Sequence, residues 1–215
     1  MTMRGQLAMV LCCGALAVQA QQDAVRARHQ RIGELYEAQR FPELIREVEV
    51  QLREVAGTTY ADSLHRYLYK FARAHRKVKD AAAGTAAGER ILALVKARGI
   101  ADHELEALFD LSWVYYEAGE LKQCARVDSL AVQVADGDPS IPFTQRGRAR
   151  QYLAFDHSVL GDHRRSGQWA RNALAQYEKA GSVPVEQWAE SYTAAGVAAW
   201  HLGRVHEAET YYMKA

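Results

Sequence analysis

Along the second half of the chain, apolar and small residues return at a fixed interval. Leu111, Leu153 and Ala195 stand 42 residues apart, and so do the small residues that follow them, Ser112, Ala154 and Gly196. Seven residues beyond each small residue comes a glycine: Gly119, Gly161 and Gly203. The tripeptide Ser140-Ile141-Pro142 also returns 42 residues later, as Ser182-Val183-Pro184. Repetition at a period of about 20 to 50 residues marks a solenoid, in which each unit buries its apolar face against the next.

Each unit reads as two helices. A helical pattern from about Pro142 to Leu160 breaks at Gly161-Asp162, and a second runs from about His163 to Ala180 and ends at Gly181. The next unit starts after Pro184, whose fixed φ suits a first helical turn. The preceding one spans about Asp102 through Gly119 to Ala135 and is closed by Asp136-Gly137-Asp138-Pro139. Upstream the register decays, but helical stretches continue over Tyr60–Arg76 and Asp80–Lys96, and before them over Ala24–Ala38 and Pro42–Val55. No strand-like alternation interrupts them. The pattern predicts an all-α solenoid of about five antiparallel hairpins. Residues 21–100 hold degenerate hairpins, and repeats lie at about 101–138, 142–181 and 184–215, the last one incomplete.

Tyr192, Gly196, Gly203, Ala208, Tyr212 and Ala215 have the spacing of a tetratricopeptide repeat (TPR), and this family is the one the chain resembles. The unit at 105–138 is similar through Leu108, Leu111, Ser112, Tyr115, Gly119 and Ala131, with Cys124 and Asp128 departing from the pattern. The unit at 147–180 keeps Leu153, Ala154, Gly161, Ser166 and Ala173, but sets Arg150, His157 and His163 where bulky apolar residues are usual. The 42-residue period resembles the long-repeat subclass of kinesin light chains and bacterial multi-repeat proteins. The resemblance implies a right-handed α-α superhelix that acts as an interaction scaffold and is not an enzyme.

The same resemblance points to a surface. In the family, the inner helix of each hairpin turns its second, fifth, ninth and twelfth positions to a concave groove. Those positions hold Glu106, Phe109, Trp113 and Tyr116 in one unit, and Arg148, Gln151, Phe155 and Ser158 in the next. The following unit has Glu190, Thr193, Val197 and Trp200. Five aromatics, Phe109, Trp113, Tyr116, Phe155 and Trp200, would line a partner-binding groove, and exposed apolar patches of that kind mark interaction sites. The opposing reading buries them in the core of the longer helices. The lysine, arginine and asparagine with which some family members grip a C-terminal carboxylate are missing from the fifth and ninth positions.

Composition adds limits. Four prolines and 25% charged residues suit a helical protein, and there is no 18-residue apolar run to cross a membrane. Residues 1–20 read as an export signal: Arg4, the apolar stretch Leu7–Val18, then Val18-Gln19-Ala20 with cleavage before Gln21. The expected location is the periplasm or the cell exterior. A buried first helix and a lipidated Cys12 or Cys13 are the alternatives. Cleavage removes one base and leaves 26 bases against 26 acids, so nothing favours nucleic acid or an anionic membrane as partner.

Chemistry-bearing motifs are missing. Gly84 and Gly88 bracket Thr85-Ala86-Ala87 without the Lys-Ser/Thr pair of a phosphate loop, and small residues so spaced mean close helix contact. There is no zincin helix, nucleophile elbow or zinc-type cysteine pair, so no catalytic residue, cofactor or metal ligand is expected. Cys124, the one cysteine left after cleavage, occupies a position for a small buried residue and reads as structural. His157 with His163 and His201 with His206 span hairpin turns and need not converge, and the flanking Asp156 and Asp162 read as solvated.

The expectation is an exported scaffold that binds a protein or peptide in an aromatic groove. Two alternatives stay open. One is the recognition arm of a larger enzyme or sensor, with a caspase-like peptidase or kinase domain downstream of Ala215. The other is a structural module that self-associates through an uncapped last hairpin.

Overall fold

A computed structural model describes residues 23–24, 26–55, 67–97, 99 and 101–215. The proposed export signal and the start of the Tyr60–Arg76 stretch lie outside the described residues. Ten helices follow one another among those described: α1 (26–37), α2 (Phe41–Val55), α3 (Leu68–Lys77), α4 (Ala81–Lys96) and α5 (Ala101–Ala118), then α6 (Leu121–Gly137), α7 (Phe143–Val159), α8 (His163–Tyr177), α9 (Val185–His201) and α10 (Val205–Tyr212). Among the described residues there is no strand, and no helix is long and apolar enough to cross a membrane.

Five hairpins are closed by one and the same turn. Gly119 N–H donates to Tyr116 O at 3.0 Å and Glu120 N–H to Tyr115 O at 2.9 Å, which satisfies two carbonyls of the last turn of α5. The pattern repeats at Gly161-Asp162 and Gly203-Arg204, and also at Gln39-Arg40 and Lys79-Asp80. This turn needs a left-handed residue. The three glycines lie at φ 79°, 79° and 74°, whereas Gln39 and Lys79 hold φ 57° and 64° with a side chain in place. Turn residues therefore fall at 39, 79, 119, 161 and 203, and the two upstream intervals are two residues shorter than the downstream ones. After two of the turns an aspartate caps the next helix: Asp80 accepts from Ala83 N–H at 3.1 Å, and Asp162 from Arg165 N–H at 3.0 Å.

Helices stack in chain order, α3 through α10 each against the next, with further contacts between the alternate helices α3 and α5 and α7 and α9. That layering sets the odd-numbered helices along one face. The main core runs from Ile32 to Leu153, with Phe71, Leu105, Leu108 and Phe109 fully buried. A second cluster beyond it is built on Ala154, Ala170 and Ala195. Small residues let helices close up: Gly84 sets α4 against α3, where an added Cβ would lie 3.1 Å from His75 Cβ. Gly147 faces the Tyr177 ring, and Gly196 faces the Tyr212 ring.

Candidate functional site

Alternate stacking gives α5, α7 and α9 a common inner face, and between them lies a cavity of about 530 Å³. Its wall carries Trp113 and Tyr116 from α5, Tyr152 and Phe155 from α7, and Thr193 and Val197 from α9. Trp113 and Phe155 are 41% and 43% exposed, a large fraction for such side chains. Tyr116 stands edge-on to both, 5.5 Å from Trp113 and 5.3 Å from Phe155 between ring centroids. Edge-to-face contact fixes the three rings as one surface.

Two of the five expected aromatics stand elsewhere. Phe109 is fully buried, because Tyr152 packs edge-on to it at 5.0 Å and the Arg148 guanidinium covers its ring at 4.5 Å. It is core and offers nothing to a ligand. Trp200 is 58% exposed but lies near the end of α9, outside the cavity lining. The second positions of the units form a different feature: Arg148 donates to Glu106 at 3.1 Å across a 42-residue separation. Glu190, one unit further, accepts from Gln151, whose amide oxygen receives Tyr177 Oη at 2.6 Å and Ser191 Oγ at 3.2 Å.

The floor of the cavity is polar. Ser112 of α5, Cys124 and Asp128 of α6 and Asp156 of α7 all line it, and each is at least 97% buried. Ser112 Oγ donates to Asp128 Oδ2 at 2.7 Å, and Cys124 Sγ donates to Asp156 Oδ1 at 3.0 Å. The thiol and one oxygen of each carboxyl lie within 4.8 Å of one another. Asp128 Oδ1 and Asp156 Oδ2 receive no N–H or O–H from another residue, and the two carboxyls are hydrogen-bond neighbours of each other. Burial is the main force pushing both carboxyls above their ordinary range, and at Asp128 the Asp156 charge adds to it. Burial likewise pushes the Cys124 thiol up, so it is a donor and not a thiolate.

The repeat register explains why this floor exists. Asp128 stands two periods before Tyr212, and Ser112 two periods before Gly196. At the later site the tyrosine ring fills the hole over the glycine, approaching an added Cβ to 2.7 Å. At the earlier site a short carboxyl stands in place of the ring, and Ser112 and Asp128 line the cavity. Cys124 and Asp128 were visible in the sequence as departures from the pattern. Asp156 was not: it stands five residues before the turn glycine Gly161, yet it is 3% exposed instead of solvated.

Three further sequence positions resolve differently from one another. Cys124 is buried and hydrogen-bonded, as its small-residue position suggests. Arg150, at a usual apolar position, sends its guanidinium to the Asp136 carboxyl at 2.7 and 2.8 Å and so ties α7 to the end of α6. His163 pairs neither with His157 nor with a metal ligand set but stacks on His201, 3.8 Å between centroids and nearly coplanar at 5°.

No protein-family model matches the chain, and no curated protein does. Solved structures do. A kinesin light chain protein of Podosopora anserina with nearly identical TPR-like repeats is 15% identical at a TM-score of 0.66, over 88% of this chain and 92% of that one. BtubC from P. vanneervenii is 13% identical at a TM-score of 0.69, over 91% and 82%. A Rap protein complexed with competence and sporulation factor is 11% identical at a TM-score of 0.58, and the matched region covers 85% of this chain but only 50% of that one. At such identities the likeness concerns the fold, and on that level it agrees with the turns, the stacking and the register: the chain has the TPR-like fold, an all-α superhelix of repeated hairpins.

Proposed function

We propose that the protein is an interaction scaffold that seats a polypeptide segment in the cavity between α5, α7 and α9. The observation that carries this reading is the wall formed by Trp113, Tyr116 and Phe155, two of whose rings stay more than two-fifths exposed. Rigid aromatics on a preformed helical surface bury ligand area at a low entropy cost. The Rap protein, half of which shares this fold, was solved in complex with a factor, and that complex is a property of that protein. The export reading of residues 1–20 places this activity outside the cytoplasm, and N-terminal sequencing of exported protein should start at Gln21.

The test uses a phage-displayed dodecapeptide library panned on the whole protein, with affinities of recovered peptides measured by calorimetry. The double variant Trp113→Ala, Phe155→Ala should weaken binding at least tenfold at unchanged helicity and melting temperature. Loss of fold would make these rings core, and undiminished affinity would move the binding surface elsewhere.

A further inference from the structure

The cavity is one-sided in charge. Among the described residues that line it are three carboxyl side chains, Asp128, Asp156 and Glu190, and no basic one. Glu190 is engaged by Gln151. Asp128 and Asp156 each spend one oxygen on a neutral donor, and the other receives no donor from another residue, only the neighbouring carboxyl, at 1% and 3% exposure. A buried acceptor without a donor is costly, and a buried carboxylate without a cation more so. Such a pair persists where something fills the gap.

We infer that the floor of this cavity, built by Ser112, Cys124, Asp128 and Asp156 beneath Trp113, Tyr116 and Phe155, binds an alkylammonium group of the seated polypeptide. Its source is a lysine side chain or a free amino terminus. The assignment rests on the groove reading above for the rest of the ligand, while the ammonium site stands on its own geometry. An ammonium brings three donors to a point, and the two remaining carboxyl oxygens with the Ser112 hydroxyl offer a matching number of acceptors. A guanidinium would bring five donors and leave some of them buried and unmade. Trp113, Tyr116 and Phe155 line the same cavity and supply aromatic surface for a cation and its methylene stem. A metal ion fits less well, because burial keeps the Cys124 proton on sulfur and only two carboxyls remain as anionic ligands. Without a cation, burial and the mutual carboxyl repulsion keep a proton on the pair, and the ammonium takes over that proton's role.

Two measurements on the whole protein decide the matter. In the first, n-butylammonium chloride is titrated into ¹⁵N-labelled protein, with n-butanol as the uncharged control. The amides of Ser112, Cys124, Asp128 and Asp156 should shift saturably with the ammonium and not with the alcohol. Asp128→Tyr, which restores the ring that the fold carries at Tyr212, should abolish the response at unchanged helicity. If that variant does not fold, Asp128→Asn takes its place. In the second, peptides from the library are resynthesised with acetylated amino termini and with norleucine for lysine. A tenfold loss from one of these changes on the wild type, shrinking below twofold on Asp128→Asn, is expected, and which change does it identifies the source. Recovered peptides that bind equally well without any ammonium would overturn the inference and leave the groove reading standing. Failure to recover any peptide would remove the groove reading and leave the butylammonium titration to decide alone. No amide shift with butylammonium, or saturable zinc binding lost in Cys124→Ala in its place, would overturn the ammonium site.

Discussion

Gln39 and Lys79 bear a backbone strain that glycine avoids at 119, 161 and 203. A left-handed conformation costs an L-residue roughly 1–2 kcal/mol, and glycine's extra freedom in the unfolded chain takes back about 0.5–1 kcal/mol of the relief. Lys79→Gly should therefore stabilise the protein by about 0.5–1 kcal/mol, read as a raised urea midpoint at constant m, and Gly161→Ala should shift the midpoint the other way. A second residue-scale prediction concerns the buried and half-buried acids. Burial is the first cause that pushes Asp110 up to about 7, with Glu106 adding to it and Arg148 opposing. Asp128 and Asp156 are raised in the same direction. Between the ordinary carboxyl value near ~4 and these raised values the folded chain holds more protons than the unfolded one, so stability falls as pH rises through that window. The melting temperature should drop from pH 5 to pH 8, and Asp128→Asn should reduce the slope and raise stability at pH 8. A melting temperature that climbs over this range would contradict the buried-acid account. These residues also mark how far the sequence could be read. A glycine announces a left-handed turn, a glutamine or lysine does not, and the two upstream turns were legible only through the helices on either side. The acidity of Asp128 was plain, but its burial beside Asp156 depends on which helices pack together, and spacing alone does not say that.

At the scale of elements, two glycine–tyrosine contacts look alike and should behave differently. An added Cβ at Gly147 would lie 2.1 Å from Tyr177 Cε1, and at Gly196 2.7 Å from Tyr212 Cε1. Tyr177 is 1% exposed, its hydroxyl is tied to Gln151, and Trp188 stands edge-on to its ring at 5.5 Å. That ring has nowhere to go. Tyr212 is 43% exposed and can swing outward. Gly147→Ala should thus destabilise by about 1–3 kcal/mol, as overpacking does, even though alanine is the better helix former. Gly196→Ala should stay within about 0.5 kcal/mol of the wild type. Equal effects in a paired thermal-melt comparison would mean that Tyr177 is not held as its contacts indicate. The small residue at 196 was readable from the 42-residue register, whereas Gly147 has no glycine at the corresponding place in the neighbouring units, Leu105 and Ala189, and only the packing of α7 on α8 reveals its role.

The molecule as a whole is unevenly built. A continuous apolar cluster joins residues from Ile32 to Leu153, while the packing around α8 and α9 centres on three alanines. Solenoid stability is close to a sum of units and their interfaces, so opening should be graded along the chain. Hydrogen exchange should be slowest in α5 and α6 and faster in α9 and α10, and the reverse order would show that burial does not govern opening in this array. The period itself suggests interchangeable parts, and the turns are indeed alike. The faces are not. Excising residues 143–184 would join Pro142 to Val185 and preserve the tripeptide, the turns and the helix count of a shorter array. It would also bring Glu190 to the place of Arg148, opposite Glu106, so that two acids meet where an ion pair stood. The units therefore carry an address as well as a shape: gene slippage by one period is the natural accident of a repeated sequence, and alternating charge at one position makes its product the less stable arrangement.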